Sequence, residues 1–268
     1  MKVFISVDIE GITTTSVWDE VFSANAAYPS HAKQMTQEAL AACQGALAAG
    51  ATEIFVKDAH GPGCNIDPAR LPKEVTLIRS YSYCPELMVE GIDASFDAAL
   101  FVGYHSAGGR CGNPLAHTIS LSHTGIYING RLTSEFMLYS WAAAYYGVPS
   151  VFLSGDKMLC EDYADLHPSL VTVSVKDGLG GVSYCRSVEA TIPEIREKSE
   201  KALRQDLSAA KITLPEFFEV EIHFKEQAKA EKASHFPDVR KVSDHIVAFH
   251  REDYREVLRT IFWLMFMP

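Results

Sequence analysis

The sequence predicts an α/β fold with three layers, in which helices flank a mostly parallel central sheet. Short apolar runs alternate with segments of helical periodicity, and this β-α-β order implies parallel strands joined by right-handed crossovers. The first run, residues 3–7, is so rich in Val, Phe and Ile that it fits a central strand buried on both faces. A chain of 268 residues with 47% hydrophobic residues is also long and apolar enough to bury a full core.

Composition and charge exclude several classes of protein. The net charge of -10 and the pI of about 5.5 disfavour nucleic acid or an anionic membrane as a partner, because both are bound through surfaces rich in Lys and Arg. No apolar run approaches the ~20 residues of a membrane span. The six cysteines show no CxxC spacing and no disulfide framework, and no signal peptide is recognisable. We therefore expect a cytoplasmic protein with reduced thiols.

The first half of the chain supplies most of the predicted core strands. After the opening strand, residues 12–29 lack any sustained period, which is typical of a long functional loop. The elements predicted next are a helix over 29–50, a strand over 52–56, a strand over 75–78, a short helical piece at 85–89 and a strand over 98–104.

The second half begins with short strands and ends less regularly. The predicted elements are strands over 118–121 and 125–128, an Asn129-Gly130 turn, a helix capped by Thr133 or Ser134 and reaching Tyr146, strands over 151–154 and 171–175, a Gly-rich loop at 178–181 and a helix over 187–207. Beyond Pro215 we expect strands over 217–224 and 246–249 and a helix over 252–267. In this part of the chain, strands and helices no longer alternate regularly. We therefore predict a catalytic domain of residues 1–205 and a small C-terminal α+β segment of residues 206–268 packed on it, with one continuous domain as the alternative.

Potential metal-ligating side chains follow the predicted core strands. Asp8 and Glu10 lie two residues apart at the end of the first strand, so their side chains point the same way. His60 and His105 each follow a later strand, and Glu135 lies in the first turn of a helix. Because the carboxyl ends of parallel strands meet at one edge of a sheet, we expect these five side chains to converge.

Carboxylates and imidazoles together favour Zn²⁺, with Mn²⁺, Co²⁺ or Fe²⁺ as substitutes, whereas Ca²⁺ and Mg²⁺ prefer oxygen alone. Five such donors exceed the needs of one catalytic zinc ion and suit two ions that share a bridging carboxylate, as in two-metal hydrolases. Each residue by itself has an ordinary explanation, for example a turn histidine or a glutamate favoured at a helix N-terminus. The set as a whole favours a metal site. His117 and His123 flank a predicted strand; one could be catalytic, and a conformational or surface role is more typical for His123.

An ordered set of motifs resembles the DppA-type D-aminopeptidase family of dizinc, self-compartmentalising peptidases. The resemblance covers most of residues 1–205 and is weak beyond them. The motifs are Ser6 to Ile12, Asp58-Ala59-His60, Gly103-Tyr104-His105, the His117 segment, Tyr127 to Gly130 followed by Glu135, and Val175-Lys176. The loops at 12–29 and 108–115 depart from the family pattern, which leaves the substrate preference open.

The resemblance implies a role for each candidate residue. By it, Asp8 bridges two zinc ions, Glu10 and His60 complete one ion, and His105 and Glu135 complete the other, while His117 matches the active-site histidine. It further implies removal of N-terminal D-residues, notably D-Ala, from short peptides by a water that two metal ions activate. It also implies a homo-oligomer, namely a decamer.

Two other functions use similar residues. A two-metal phosphoesterase would also need Arg or Lys near the metals, and the site loops offer only Lys57, Arg110 and Arg131. A metal-binding scaffold without catalytic activity is the third alternative. The apolar C-terminal stretch 262–267 predicts a covered surface, either packed within the chain or buried between subunits, and we favour the subunit contact.

Overall fold

The structure is a computed structural model that describes residues 1–266, so the predicted end of the last helix at Met267 lies outside the described residues. The strands are β1 (Lys2–Val7), β2 (Glu53–Asp58), β3 (Val75–Ile78), β4 (Ala98–Tyr104), β5 (His123–Ile128), β6 (Arg131–Leu132), β7 (Ser150–Asp156), β8 (Val171–Leu179), β9 (Val182–Cys185), β10 (Phe218–Phe224), β11 (Arg240–Lys241) and β12 (Ile246–Arg251). The helices are α1 (Tyr28–Ala48), α2 (Glu135–Tyr145), α3 (Lys157–Asp162), α4 (Val188–Arg204), α5 (Gln227–Ala233) and α6 (Tyr254–Phe266), with short 3-10 turns at Trp18–Glu20, Pro68–Arg70 and Leu87–Val89.

A seven-stranded sheet forms the centre of the molecule, in the order β3-β2-β1-β4-β7-β8-β9. The strands pair in parallel except for the edge strand β9, which is antiparallel to β8. The strand β1 lies between β2 and β4, and residues 3–7 are completely buried. The predicted α/β class with a mostly parallel central sheet is therefore confirmed.

The two faces of the sheet contact different layers, because side chains alternate along a strand. Val3 and Ile5 belong to an apolar core with Met35 of α1 and Ile195 of α4. Phe4 lies in a second core, to which α2 contributes, for example through the edge-to-face contact of Phe136 with Phe101 at 5.2 Å between ring centres. Helices therefore cover the sheet on both faces, as the sequence predicts.

The second core is closed by an antiparallel sheet in the order β11-β12-β10-β5-β6. Its strand β10 pairs with β5 on one side and with β12 on the other. The helix α6 is tied to α2 by a hydrogen bond from the Tyr254 hydroxyl to the Leu138 carbonyl oxygen (2.8 Å). The proposed division between residues 205 and 206 stays a prediction. No helix within residues 1–266 is long and apolar enough to cross a membrane.

Two predicted segments have a different local structure. The strand predicted at 118–121 is wrong: the chain turns sharply at Ile119, whose φ is +64°, and the Ser120 amide donates to the Thr118 carbonyl oxygen at 2.7 Å. The Gly-rich loop predicted at 178–181 is shorter than predicted, because β8 continues to Leu179 and only the two-residue Gly180-Gly181 turn separates it from β9. The short elements β6 and α3 carry too few residues to show a period in sequence.

Candidate metal centre

The five predicted metal-ligating residues lie together at the carboxyl edge of the central sheet. Asp8 and Glu10 follow β1, His60 follows β2, and His105 follows β4. Glu135 is the first residue of α2, whose N-cap Ser134 accepts a hydrogen bond from the Met137 amide. All five are buried, and the most accessible of them, His60, is only 8% exposed.

Two glycines allow the ends of β1 and β4 to come this close. The Gly11 amide donates to the Gly103 carbonyl oxygen at 2.8 Å. A Cβ atom on Gly11 would lie 1.8 Å from the Tyr104 carbonyl oxygen, and one on Gly103 would lie 2.3 Å from the Asp8 carbonyl oxygen. Gly103 also has a φ of +71°, which side-chain-bearing residues rarely adopt. The backbone contact places the loops after the two strands side by side.

Asp8 lies between two groups of donors, with one carboxylate oxygen facing each. Its Oδ1 is 3.5 Å from His60 Nδ1, and its Oδ2 is 3.6 Å from His105 Nε2. Glu10 Oε2 lies 3.0 Å from His60 Nδ1, on the first side. Glu135 Oε2 lies 3.3 Å from His105 Nε2, on the second side. The donors therefore form two adjoining groups, and Asp8 lies close to both.

Main-chain carbonyl groups orient the histidines. His60 Nε2 donates to the Val21 carbonyl oxygen at 2.9 Å, and His105 Nδ1 donates to the Ser106 carbonyl oxygen at 2.9 Å. Because a carbonyl oxygen can only accept, the other nitrogen of each neutral ring carries a lone pair, and it is this nitrogen that faces the carboxylates. Metal-ligating histidines are characteristically held in this way.

The electrostatics of the cluster favour a bound cation. Burial, followed by the charge of Glu10, raises the pKa of Asp8 to about 7. Burial works to lower the pKa of His105, but the charges of Glu135, Asp8 and Glu10 and the hydrogen bond to Glu135 together outweigh it and raise that pKa to about 10. Burial opposes the charged form of His60 as well, yet the charges of Glu10 and Asp8 and their hydrogen bonds together raise the pKa of His60 above its usual value. Without a metal ion, protons must balance these buried carboxylates.

A second observation indicates that the donor atoms suit a metal ion. Within residues 1–266, Asp8 Oδ2 and His105 Nε2 are buried atoms without a hydrogen-bond partner. Donor atoms of Asp8, Glu10 and His105 lie within 4.8 Å of one another, and so do those of His105, His117 and Glu135. Unpartnered buried polar atoms are costly, and a cation between them would remove that cost.

His117 lies next to the cluster and is more accessible. Its ring stacks on that of His105 at 4.5 Å between centres, and its Nε2 lies 3.7 Å from Glu135 Oε1. His117 Nδ1 donates to the Leu115 carbonyl oxygen at 2.8 Å, so its Nε2 is the nitrogen free to bind or release a proton. The side chain is 15% exposed, against 0% for His105 and 9% for His60. His117 is thus placed to contact a molecule above the cluster.

Comparison with known proteins identifies the family. A family model described as D-aminopeptidase matches residues 1–263. The chain belongs to the D-aminopeptidase family. The match extends beyond residue 205, where the resemblance of the motifs is weak.

A sequence comparison and a structural comparison illustrate the likeness. A D-aminopeptidase of Bacillus subtilis (strain 168) is 31% identical over 265 residues, which cover 97% of this chain and 95% of the relative. A solved structure, described as the Zn-dependent D-aminopeptidase DppA from Bacillus subtilis, a self-compartmentalizing protease, matches with a TM-score of 0.91 at 29% identity and covers 98% of this chain and 96% of its own.

Residues to which the sequence assigns no role support the loops of this D-aminopeptidase family member. Lys176 on β8 is buried, and its ammonium donates to the main-chain oxygens of Glu10 (2.5 Å) and Thr15. Asn113 Nδ2 donates to the same Glu10 oxygen at 3.0 Å. The Asp156 carboxylate accepts from the Ser106 amide at 2.7 Å, directly after His105. Asp156 is the last residue of β7 and so lies near the sheet edge that carries the candidate ligands, whereas Lys176 lies inside β8 and has no such position at a strand end.

The sharp turn at Ile119 also contacts the cluster. A positive φ is unusual for a β-branched residue, and here it directs the Ile119 amide to Glu135 Oε1 at 2.5 Å. His123 is buried, and its Nε2 donates to the Thr118 carbonyl oxygen at 2.8 Å. A surface role for His123 is therefore wrong, and its contact is with the backbone of this turn.

A cavity of about 430 Å³ opens over the cluster. Asp8, Glu10, His60, His117 and Glu135 line its floor. A second cavity of about 430 Å³ lies beside α1 and contains none of these residues. The cavity over the cluster is therefore the one that could present a substrate to it.

Proposed function

We propose that this chain is a zinc-dependent aminopeptidase that removes the N-terminal residue, a D-residue such as D-Ala, from short peptides. The observation that carries the proposal is the orientation of His60 and His105. In each ring, one nitrogen donates to a main-chain carbonyl oxygen and the other nitrogen faces buried carboxylates. Family membership and the description of the Bacillus subtilis structure as Zn-dependent support it.

We assign Asp8 to both of two zinc ions, Glu10 and His60 to one, and His105 and Glu135 to the other. The placement of one Asp8 oxygen towards each histidine supports a shared carboxylate. Mn²⁺ or Co²⁺ would accept the same donors. When bound, the two ions would supply a nucleophilic water at neutral pH and polarise the scissile carbonyl.

The chain's own residues bind the peptide and move the proton. A carboxylate oxygen on the cavity floor can accept a hydrogen bond from the amino group of a peptide N-terminus. His117 Nε2 is the nitrogen that faces the cavity, and it either gives a proton to the leaving amine or, when protonated, holds the oxyanion. In either role, His117 contacts the substrate and is not a metal ligand.

The structure also counts against a phosphoesterase. Arg110 forms an ion pair with Asp162 at 2.5 Å, and Arg131 forms one with Asp165 at 2.7 Å. The Lys57 ammonium is buried and donates to the Ser80 carbonyl oxygen. None of the three lines the cavity, so a phosphate group bound there would find among residues 1–266 no cationic side chain of the kind that phosphoryl-transfer sites use.

A small substrate panel tests the function. We expect zinc-loaded protein to hydrolyse D-Ala-p-nitroanilide at least about 100-fold faster than the L-Ala compound, because the site holds the chiral centre between fixed donors. We also expect it to leave p-nitrophenyl phosphate intact, because no Lys or Arg side chain of the described residues lines the cavity. Hydrolysis of the phosphate ester alone would establish the alternative class. Activity that survives removal of the metal by a chelator would contradict the metal-dependent mechanism.

Lys176→Met should weaken zinc binding about 10- to 100-fold, because Lys176 holds the main chain of Glu10 and outer contacts of this kind orient metal ligands. Competition with a chromogenic chelator measures the change. Lys157→Met is the matched control, since Lys157 is half-exposed and pairs only with Asp177. Equal zinc affinity in the two variants would show that the ammonium does not position Glu10.

We further propose a homo-oligomer, a decamer by resemblance, located in the cytoplasm. Exposed apolar side chains at the end of α6 (Trp263 and Phe266) and on the β8–β9 hairpin (Leu179 and Val182) support self-association. The relative's description as self-compartmentalizing is consistent with it. All six cysteines are unpaired, as expected in a reducing compartment. A monomeric mass by light scattering at micromolar concentration would contradict the oligomer.

A further inference from the structure

The cavity over the candidate centre is walled mainly by large apolar and aromatic side chains. Trp18 and Phe22 form one side, Tyr81 and Met88 another, and Leu121 lies at the rim. The volume of about 430 Å³ falls within the range of sites that enclose small organic ligands. The methyl group of a D-Ala residue would occupy only a small part of it.

The aromatic walls are held in place by contacts of their own. Trp18 stacks on Phe22 with ring centres 5.9 Å apart, and its edge contacts His117 at 5.6 Å. The Tyr81 hydroxyl donates to the Ala59 carbonyl oxygen, and the Lys57 ammonium lies 3.8 Å from the centre of the Tyr81 ring. These contacts fix the walls before a ligand binds, so apolar surface remains available at little ordering cost.

Tyr139 supplies a polar group inside this apolar wall. It lies one helical turn after Glu135, on the same side of α2, and lines the cavity although it is only 1% exposed. Within residues 1–266 its hydroxyl forms no hydrogen bond, and the ionisable groups around it are Glu135, Tyr81, Tyr254 and Cys84. A peptide amide or carbonyl in the cavity would give this hydroxyl a hydrogen-bond partner.

Within the described residues, the cavity wall carries no cationic side chain. The acidic residues that line it, Asp8, Glu10 and Glu135, are the candidate metal ligands, and no Lys or Arg of residues 1–266 lines it. A carboxylate on the substrate's side chain would therefore lose its hydration against the apolar walls without gaining a cationic partner.

We propose that this cavity receives the side chain of the substrate's N-terminal residue and selects bulky apolar or aromatic D-residues, such as D-Leu and D-Phe, over D-Ala, while rejecting acidic ones. The inference rests on the proposed aminopeptidase function. A larger apolar side chain displaces more water from the apolar walls, and each added methylene group in such a pocket typically favours the reaction by about tenfold or more. The Tyr139 hydroxyl then bonds the peptide main chain.

The test compares kcat/KM of the zinc-loaded protein for the p-nitroanilides of D-Phe, D-Leu, D-Ala and D-Asp. We expect D-Phe and D-Leu to exceed D-Ala by at least about tenfold, and D-Asp to fall at least about 100-fold below D-Leu. A value for D-Ala equal to or above those of D-Phe and D-Leu would overturn the subsite alone. The absence of hydrolysis of all four would contradict the aminopeptidase function as well.

A positively charged side chain introduced at the rim of the cavity tests the proposed subsite with a variant of the protein. Leu121→Arg should raise kcat/KM for D-Asp-p-nitroanilide at least about tenfold, through a lower KM, because the new cation would pair with the acidic side chain. Val242→Arg is the matched control, since Val242 is 45% exposed, Leu121 is 48% exposed, and Val242 lies outside the cavity. The same D-Asp kinetics in both variants would overturn the proposal.

Discussion

Asp8→Ala is expected to weaken the binding of both zinc ions together and to lower turnover by at least about 100-fold. Changes that disturb metal ligands only indirectly already reduce activity by up to about 100-fold, and the loss of a ligand should cost at least as much. Asp8 directs one oxygen to the side of His60 and the other to the side of His105, so its removal takes a ligand from each ion. The two cations would also lose the negative charge between them. Glu135 contacts only the His105 side of the cluster, so Glu135→Ala should release one ion and leave the other.

Elemental analysis of the purified variants measures these losses, and the near-ultraviolet circular dichroism spectrum checks the fold. Asp8→Asn is the matched variant, because it keeps the shape of the side chain and removes its charge. Asp177→Ala controls for the loss of an exposed carboxylate that is not a candidate ligand. Retention of one tightly held ion in Asp8→Ala, or equal losses in Asp8→Ala and Glu135→Ala, would mean that the ions do not share Asp8.

His117→Ala should lower turnover by about 10² to 10⁴-fold while the zinc content stays that of the unmodified protein. The ring is more accessible than those of His60 and His105, and its free nitrogen lies at the cavity surface, so it is placed to exchange a proton with substrate. Single-turnover kinetics with D-Ala-p-nitroanilide separate this loss from a change in substrate binding.

The opposite outcome for His117 has a clear structural meaning. Donor atoms of His105, His117 and Glu135 lie within 4.8 Å of one another, so loss of one zinc equivalent in His117→Ala would make His117 a ligand. His223→Ala, on the strand β10 of the second sheet and paired with Glu221, is the control for removing an accessible histidine. It should leave both activity and metal content unchanged.

The convergence of Asp8, His60 and His105 could be predicted because a local pattern places each of them. Each follows an apolar run, and parallel pairing brings the ends of such runs to one edge of the sheet. Glu135 could be predicted from the capping signal at Ser134 and its acidic first turn. For these residues, short-range sequence and the rules of parallel sheets were sufficient.

The supporting residues could not be predicted, because their partners are distant in sequence. Lys176 is separated from Glu10 by 166 positions, and only the position of β8 in the sheet brings its ammonium to that loop. The turn at Ile119 was predicted as a strand because its apolar residues fit one. Its actual conformation is stabilised by contacts with Glu135 and His123 that no local pattern shows. Tyr139 follows Glu135 on a helix that is apolar on nearly all sides, so nothing marks it as a cavity residue.

Zinc titration of the metal-free protein, followed by hydrolysis of D-Ala-p-nitroanilide, tests the shared two-metal centre most directly. The assignment of two ions to Asp8, Glu10, His60, His105 and Glu135 predicts that activity rises until two equivalents of zinc per chain are bound, and that elemental analysis of the active protein finds the same ratio. Full activity at one equivalent per chain, or without metal, would contradict it.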